Sequence, residues 1–182
     1  MKAKTCKQCK SRFVPARPLQ VVCGPMCGIE RAKKARLTTE KKQDRVKRES
    51  LKTIPQLIAE AQKEFNAFIR LRDQLAGHPC ISSGRPLDWS GNGVDAGHYR
   101  STGAASHLRF DEDNCHAQSK HDNQYLSGNA VDYRLNLIKR IGLARVERLE
   151  ASNEPIKWDR DTLRQIKTIY RAKFRALKKE HS

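Results

Sequence analysis

The chain has 182 residues, 37% of them hydrophobic, and carries 37 Lys and Arg against 20 Asp and Glu, a formal charge of +17. Its length allows one domain or two small ones. Its charge points to a polyanion, of which nucleic-acid phosphate is the usual case. No long apolar run and no signal-like N-terminus is present, which argues against a membrane surface and for a soluble intracellular protein.

The first element is set by cysteine. Cys6 and Cys9 form C-x2-C, and after thirteen residues Cys23 and Cys27 form C-x3-C. Two close pairs bring four thiolates to one tetrahedral Zn²⁺, each pair on a tight turn. The alternative, two disulfides, belongs to a secreted protein. Phe13 and Val14, then Leu19, Val21 and Val22, predict a small hairpin over the metal. Residues 29–50 follow with nine basic and four acidic residues and almost no apolar face. This segment is either a solvated helix or a disordered linker. Lys33, Lys34, Arg36, Lys41, Lys42, Arg45, Lys47 and Arg48 are positioned to displace counterions from a nucleic-acid backbone, unless the segment is only a charged spacer.

Thr53, with Pro55 and Gln56, predicts a helix start closed by a capping box. Leu57, Ala61, Phe65, Phe68 and Leu75 form its apolar stripe, and Gly77, His78 and Pro79 end it. Cys80-Ile-Ser-Ser83-Gly84 is shaped like a zinc knuckle with a single thiol. A loop through Trp89, Asn92 and Gly93 then leads to the polar centre of the chain.

That centre, Asp95 to Asn129, holds four of the six histidines. Asp95, His98, Asn114, His116, His121, Asp122, Asn123 and Asn129 are too dense in polar groups for a core element. Val94 to Arg100 is consistent with a short strand. A carboxylate with a carboxamide suits Mg²⁺, which takes oxygen ligands and keeps most of its waters. A nearby imidazole can take a proton from water at neutral pH. Together they are the parts of a phosphodiester hydrolase; singly, each is an ordinary loop residue. Beyond it, Val131, Leu135, Ile138 and Ile141 predict a helix over 130–141. Leu143, Val146 and Leu149 predict a short second one. Asp159 caps a last helix with Leu163, Ile166, Ile169, Tyr170, Phe174 and Leu177 inward and a basic outer face. No repeat and no phosphate-binding glycine loop is present, so nothing points to ATP.

The four-cysteine unit, the basic helix, CISSGRPLDW, DAGHYRSTGAASHLRFDEDNCHAQ and DNQYLSGNAVDYR together resemble the phage recombination proteins of the NinG (Rap) family, along nearly the whole chain. The resemblance implies a structure-specific endonuclease of the HNH (ββα-metal) type. Its substrates would be branched DNA such as Holliday junctions and displacement loops, in the cytoplasm of the bacterial host. The D-x-x-H spacing is also similar to endonuclease VII-type resolvases. By that similarity Asp95 and Asn123 hold magnesium, or manganese in its place, and His98 is the base. Asn114 and His116 support it, and Arg100 joins the basic residues at DNA. Such proteins often carry a second zinc on two C-x2-C pairs, where this chain has Cys80, Ser83, Ser119 and Asp122. Serine is a poor zinc ligand. The site has been lost, its cysteines have been exchanged for serines, or Cys115, His116 or His121 takes over; Cys80 is the thiol left of a degenerate site.

The expected architecture is α+β and mostly helical. A zinc ribbon spans 1–28, a basic helix or linker 29–52, a ββα-metal nuclease core with supporting helices 53–151, and a basic C-terminal helix 152–182. The expected activity is Mg-dependent cleavage of branched DNA, with structural zinc. Two nicks per junction call for a homodimer. The alternative is a non-catalytic DNA-binding accessory protein; a zinc-dependent protein adaptor leaves the charge unexplained.

Overall fold

The computed structural model describes residues 1–126 and 128–181. Ser127, inside the DNQYLSGN string, and Ser182 lie outside them. Among the described residues the fold is mostly helical α+β, with six α-helices and two two-stranded sheets. The chain divides into two units, Met1–Lys52 and Thr53–Ser182.

In the first unit β1 (Lys4–Thr5) pairs antiparallel with β2 (Arg12–Phe13), Lys4 opposite Phe13 and Thr5 opposite Arg12. The strands therefore flank the first cysteine pair, and the hairpin expected over 13–22 does not form. Val14 and Leu19 are exposed, because so few apolar residues cannot enclose a core. Helix α1 (Pro25–Leu51) starts with Pro25 in its first turn and buries no residue along its 27 positions. The charged segment is thus a solvated helix. Its support is local: Arg36 Nε lies 2.7 Å from Glu40, an exposed i,i+4 pair worth only a few tenths of a kcal/mol.

The second unit begins at the capping box. Thr53 Oγ1 accepts from Gln56 N–H, and Gln56 Oε1 accepts from Thr53 N–H at 2.8 Å. Helix α2 (Ile54–Leu75) buries Leu57, Ala61, Phe65, Phe68, Ile69 and Asp73. Leu75, expected inward, is exposed; the stripe continues through Ile69 to a buried carboxylate instead. Helix α6 (Arg160–Glu180), capped by Asp159, packs along α2. Ion pairs Lys167–Glu60 and Arg171–Glu64 advance together along both helices, so the two run parallel. Between them Phe65 meets Tyr170 edge-on at 4.8 Å and Phe110 at 5.7 Å. Ile169, placed inward by periodicity, is half-exposed.

Strands β3 (Val94–His98) and β4 (Cys115–Ser119) pair antiparallel, with Asp95 opposite Gln118, Gly97 opposite His116 and His98 opposite Cys115. Helix α3 (Lys120–Gln124) follows directly. Ala96 and Cys115 join the α2–α6 core. A second core gathers Ile81, Leu108, Tyr133, Leu137, Val146 and Leu149, using α4 (Ala130–Ile141) and α5 (Leu143–Ala151). Val131 and Leu135 point outward, contrary to expectation, and Tyr133 and Leu137 inward: both sets have helical spacing, and only the neighbouring core selects one. Gly97 has no room for a side chain. A Cβ there would stand 1.9 Å from Gln118 Oε1, and Gln118 is itself held by Ser82 and the Gly128 carbonyl.

Asp73 ties α2 to the hairpin. Its Oδ2 accepts the Ala117 N–H at 2.6 Å and its Oδ1 accepts Arg72 Nε at 2.7 Å, while Arg140 stands 3.8 Å away. Burial works against its ionisation, but the neighbouring His116 and the Arg72 guanidinium hold the carboxyl far below the usual range. A depressed folded value means that the contribution is whole above the unfolded pKa of about 4 and is lost as pH falls toward the folded value. Asp73→Ala should cost about 3–5 kcal/mol at neutral pH, as removal of one partner from a buried pair does. It should also lose less stability than wild type on acidification, read by denaturant midpoints from pH 7 down to 3. Identical acid slopes in the two proteins would remove Asp73 from this role.

Candidate metal centre and hairpin site

In the first unit the four expected cysteines converge. One sulfur from each of Cys6, Cys9, Cys23 and Cys27 lies within 4.8 Å of all the others. Cys9 and Cys23 are 3.6 Å apart, Cys23 and Cys27 3.5 Å. Sulfurs at about 2.3 Å from a tetrahedral zinc stand roughly 3.8 Å apart, so the set fits the ion. The backbone is arranged for it: Cys6 N–H donates to Ser11 O, Lys10 N–H donates to Cys6 O, and Lys10 takes φ 68° to close the turn. Cys23 N–H points at Cys6 Sγ, 3.4 Å away. Sulfur crowding from Cys23 and Cys9 pushes the Cys27 thiol up to about 12. Cys6, against its burial, is held down at about 6 by N–H groups of Cys9, Cys23 and Gln8. Thiols so close can ionise together only around a cation. This cluster could hold a zinc ion, and among the described residues it is the only group of three or more His, Cys, Asp or Glu placed to hold a metal.

In the second unit a second turn repeats the first. Cys80 N–H donates to Arg85 O, Gly84 N–H to Cys80 O, and Gly84 takes φ 68°. Ser119 N–H donates to Cys80 Sγ at 3.2 Å, as Cys23 N–H does to Cys6. Where a metal would sit there is a carboxylate. Asp122 Oδ2 accepts from Ser119 Oγ at 2.7 Å and from Cys80 Sγ at 3.2 Å. Although burial opposes it, these bonds and one from Ser83 keep the Asp122 carboxyl below its ordinary range. Cys115, His116 and His121 do not join this group: Cys115 faces His98, His116 faces Asp73, and His121 packs on Tyr125.

The hairpin and α3 bring Asp95 and Asn123 together. Asn123 Nδ2 and Gln124 Nε2 both donate to Asp95 Oδ2, at 3.0 and 3.2 Å. Alternation along β3 sends Asp95 and His98 off opposite faces. Asn123 links them, since it also borders a cavity of about 250 Å³ with Ala96, His98, Ser101, Thr102 and Gly128. His98 Nε2 lies 2.9 Å from the Arg109 carbonyl. A carbonyl only accepts, so Nε2 carries the proton and Nδ1 the lone pair. Burial lowers the pKa of His98 more than that hydrogen bond raises it, so the ring is neutral at pH 7. The Cys115 thiol lies 3.8 Å from Nδ1.

Asn114 and His116 are buried and fully engaged. Asn114 accepts from Arg100 N–H and donates to the carbonyls of Arg100 and Leu108, which pins the loop after His98. Arg72 Nη2 donates to His116 Nδ1 at 3.0 Å, so this ring too is the Nε2–H tautomer, donating to Asp113 O. Arg100 is taken up by the chain. Its Nη1 bonds the carbonyls of Leu149, Glu150 and Ser152, and its Nη2 bonds Asn153, closing the C-terminal end of α5. A DNA phosphate would have to compete with those carbonyls. Lys33, Lys34, Arg36, Lys41, Lys42, Arg45 and Arg48 are all exposed on α1. Asn129, at φ 45°, precedes α4 and donates to Asp132. Sequence reasoning missed Gln124, the second donor to Asp95, and Asp73, whose only sequence signal is a charge at an apolar position of a helical stripe.

Metal-replete protein should contain one zinc per chain by elemental analysis. Cys9→Ser should abolish it and remove the β1–β2 amide dispersion in NMR spectra, leaving resonances of 53–182 in place, because zinc affinity here is folding energy. Protein without zinc, or loss of both sets of resonances, would contradict this assignment.

A family model described as the bacteriophage lambda NinG protein matches residues 1–180. Protein ninG of Salmonella phage P22 is 38% identical, covering 98% of this chain and 96% of that protein. Protein ninG of Escherichia phage 933W is 39% identical, with coverage of 98% and 96%. That of Escherichia phage lambda is 37% identical, with 98% and 95%. No solved structure matches the chain. No helix of the described residues is long and apolar enough to cross a membrane. With a family match over almost its full length and relatives covered nearly end to end, the chain belongs to the bacteriophage NinG family.

Proposed function

We propose that the protein is a Mg-dependent, structure-specific endonuclease that cuts branched recombination intermediates such as Holliday junctions and displacement loops. The observation that carries this reading is Asn123, which bonds Asp95 and shares a cavity with a neutral His98. The order strand, strand, short helix in β3, β4 and α3 agrees with the ββα-metal arrangement that the sequence resembles. Asp95 and Asn123 would hold Mg²⁺ through oxygen, the amide turning its carbonyl inward; the donor types fit a hard cation whose other ligands are water. When bound, the ion supplies Lewis acidity for charge developing on the phosphate. His98 supplies the base: Nε2–H on the Arg109 carbonyl fixes the ring, and Nδ1 takes a proton from the attacking water. Asn114 and His116 keep the loop and strand behind the base in place.

A second reading, a DNA-binding accessory without chemistry, is favoured by α1, which offers exposed cations along its length and buries nothing. The two readings separate on one set of variants. His98→Ala should bind four-way DNA as wild type does and cut it about 10²–10⁴-fold more slowly. Asp95→Asn should also cut poorly, and higher Mg²⁺ should partly restore it while leaving His98→Ala unimproved. His181→Ala serves as the control and should cut normally. Full cutting by His98→Ala would leave the accessory reading.

For α1, changing Lys41, Lys42, Arg45 and Arg48 together to Ala should flatten the log–log salt dependence of duplex binding by about three to four units if each meets a phosphate. Branch preference should hold, since phosphate contacts position without specifying. An unchanged slope would make α1 a spacer.

A further inference from the structure

One further cavity of the second unit shares only Asp95 with this chemistry. It is a groove of about 580 Å³ beside Asp95, between α2, α6 and the loop before β3. Its walls combine two aromatic rings, Trp89 and Phe174, with three cations, Arg70, Lys120 and Lys178; Asp95, at one end, is the one anion among the lining residues. Phe174 packs its inner side on the α2–α6 core, whereas Trp89 belongs to neither core and is half-buried. Trp89 thus lines the groove without joining either core. The loop that presents it is fixed at both sides: Asp88 Oδ1 accepts from Ser90 N–H and Oγ, and Lys120 N–H donates to the Gly93 carbonyl.

Rings set among cations match one ligand chemistry, an unpaired nucleic-acid strand. Its bases can stack on the rings while its phosphates meet the cations. Duplex bases are already stacked and cannot reach a ring in a groove. We infer that this groove binds a single DNA strand, with an unpaired base on Trp89 and flanking phosphates on Arg70 and Lys120, and leads that strand to Asp95. The inference rests on the endonuclease reading for its direction. It deepens that reading by naming what is recognised: nucleotides splayed out of pairing at a branch or in a displaced strand. Branch preference would then reside in the groove and not in the basic helix.

The test is made on the full, zinc-replete chain without added Mg²⁺, so that no chemistry contributes. Trp89 and Trp158 are the only tryptophans. In Trp158→Phe protein, checked for folding by circular dichroism, emission therefore reports Trp89 alone. An eight-residue oligothymidine should quench that emission to saturation. In the wild-type background, Trp89→Leu should weaken oligothymidine binding roughly 5- to 150-fold, the loss expected for one base–aromatic stack, with duplex affinity unchanged. Trp89→Phe, which keeps a stacking face, should bind nearer to wild type. Arg70→Ala and Lys120→Ala should each reduce the salt slope by about 0.7, the single-strand value per phosphate, while leaving quenching at saturation intact. Emission unmoved by saturating oligothymidine, or Trp89→Leu binding as tightly as wild type, would overturn the groove assignment and leave the His98 chemistry standing. Quenching that persists alongside full cutting by His98→Ala would do the reverse, keeping the groove and removing the base.

Discussion

The buried carboxylate of Asp73 is the constraint from which the second unit follows. It sits on the inward face of α2, where every other buried residue is apolar, and it takes the Ala117 N–H of β4. One charge-assisted bond thereby joins the helix to the strand, at a position where an unpaired buried carboxylate would be very costly. Arg72 extends the tie. Its guanidinium reaches Asp73, the carbonyls of Glu112 and Cys115, and the ring of His116. The consequence for the site is positional: β4 is fixed on α2, β3 is fixed on β4 by five residue pairs, and α3 leaves β4 without a loop. Asp95 and His98 on β3 and Asn123 on α3 come from two places in the chain that this tie holds in one frame.

The two units illustrate different ways to hold a fold. Thr53–Ser182 has two apolar cores with aromatic contacts at 4.8–5.7 Å. Among the described residues, Met1–Lys52 buries only Cys6 and Pro15 and has a helix with no buried residue. For so little apolar burial, the four thiols are the main available source of tertiary stability. α1 can be long because its sequence is helix-permissive throughout and because Gly24 and Pro25 start it where the second cysteine pair lies. Its solvated faces remain available for phosphate.

Much of this was legible in the sequence where local chemistry decides the outcome. Thr53 with Gln56, Asp159 and the cysteine spacing specify geometry within a few residues, and each was read correctly. The Asp95–Asn123 proximity was legible only through resemblance, since twenty-seven residues separate the two and no periodicity connects them. Readings failed where a choice depends on what lies opposite. Val131 and Leu135 were as good a helical face as Tyr133 and Leu137 until α5 and Ile81 chose between them. Arg100 looks like any exposed cation until α5 ends beside it with carbonyls to fill. Asp73 was overlooked because a charge in an apolar stripe reads as an interruption, whereas it is the residue that the stripe is built to bury.

The turn at Cys80 has the backbone of the turn at Cys6, with the same donors, the same acceptors and the same positive φ, but its four facing groups are a thiol, two hydroxyls and a carboxylate that bond one another. The corner beneath the hairpin site is therefore complete as soon as the chain has folded, with no wait for an ion to arrive. With zinc held at the four cysteines, the first unit alone would have its assembly coupled to metal supply. Withholding zinc would then act on that unit and spare the hairpin site.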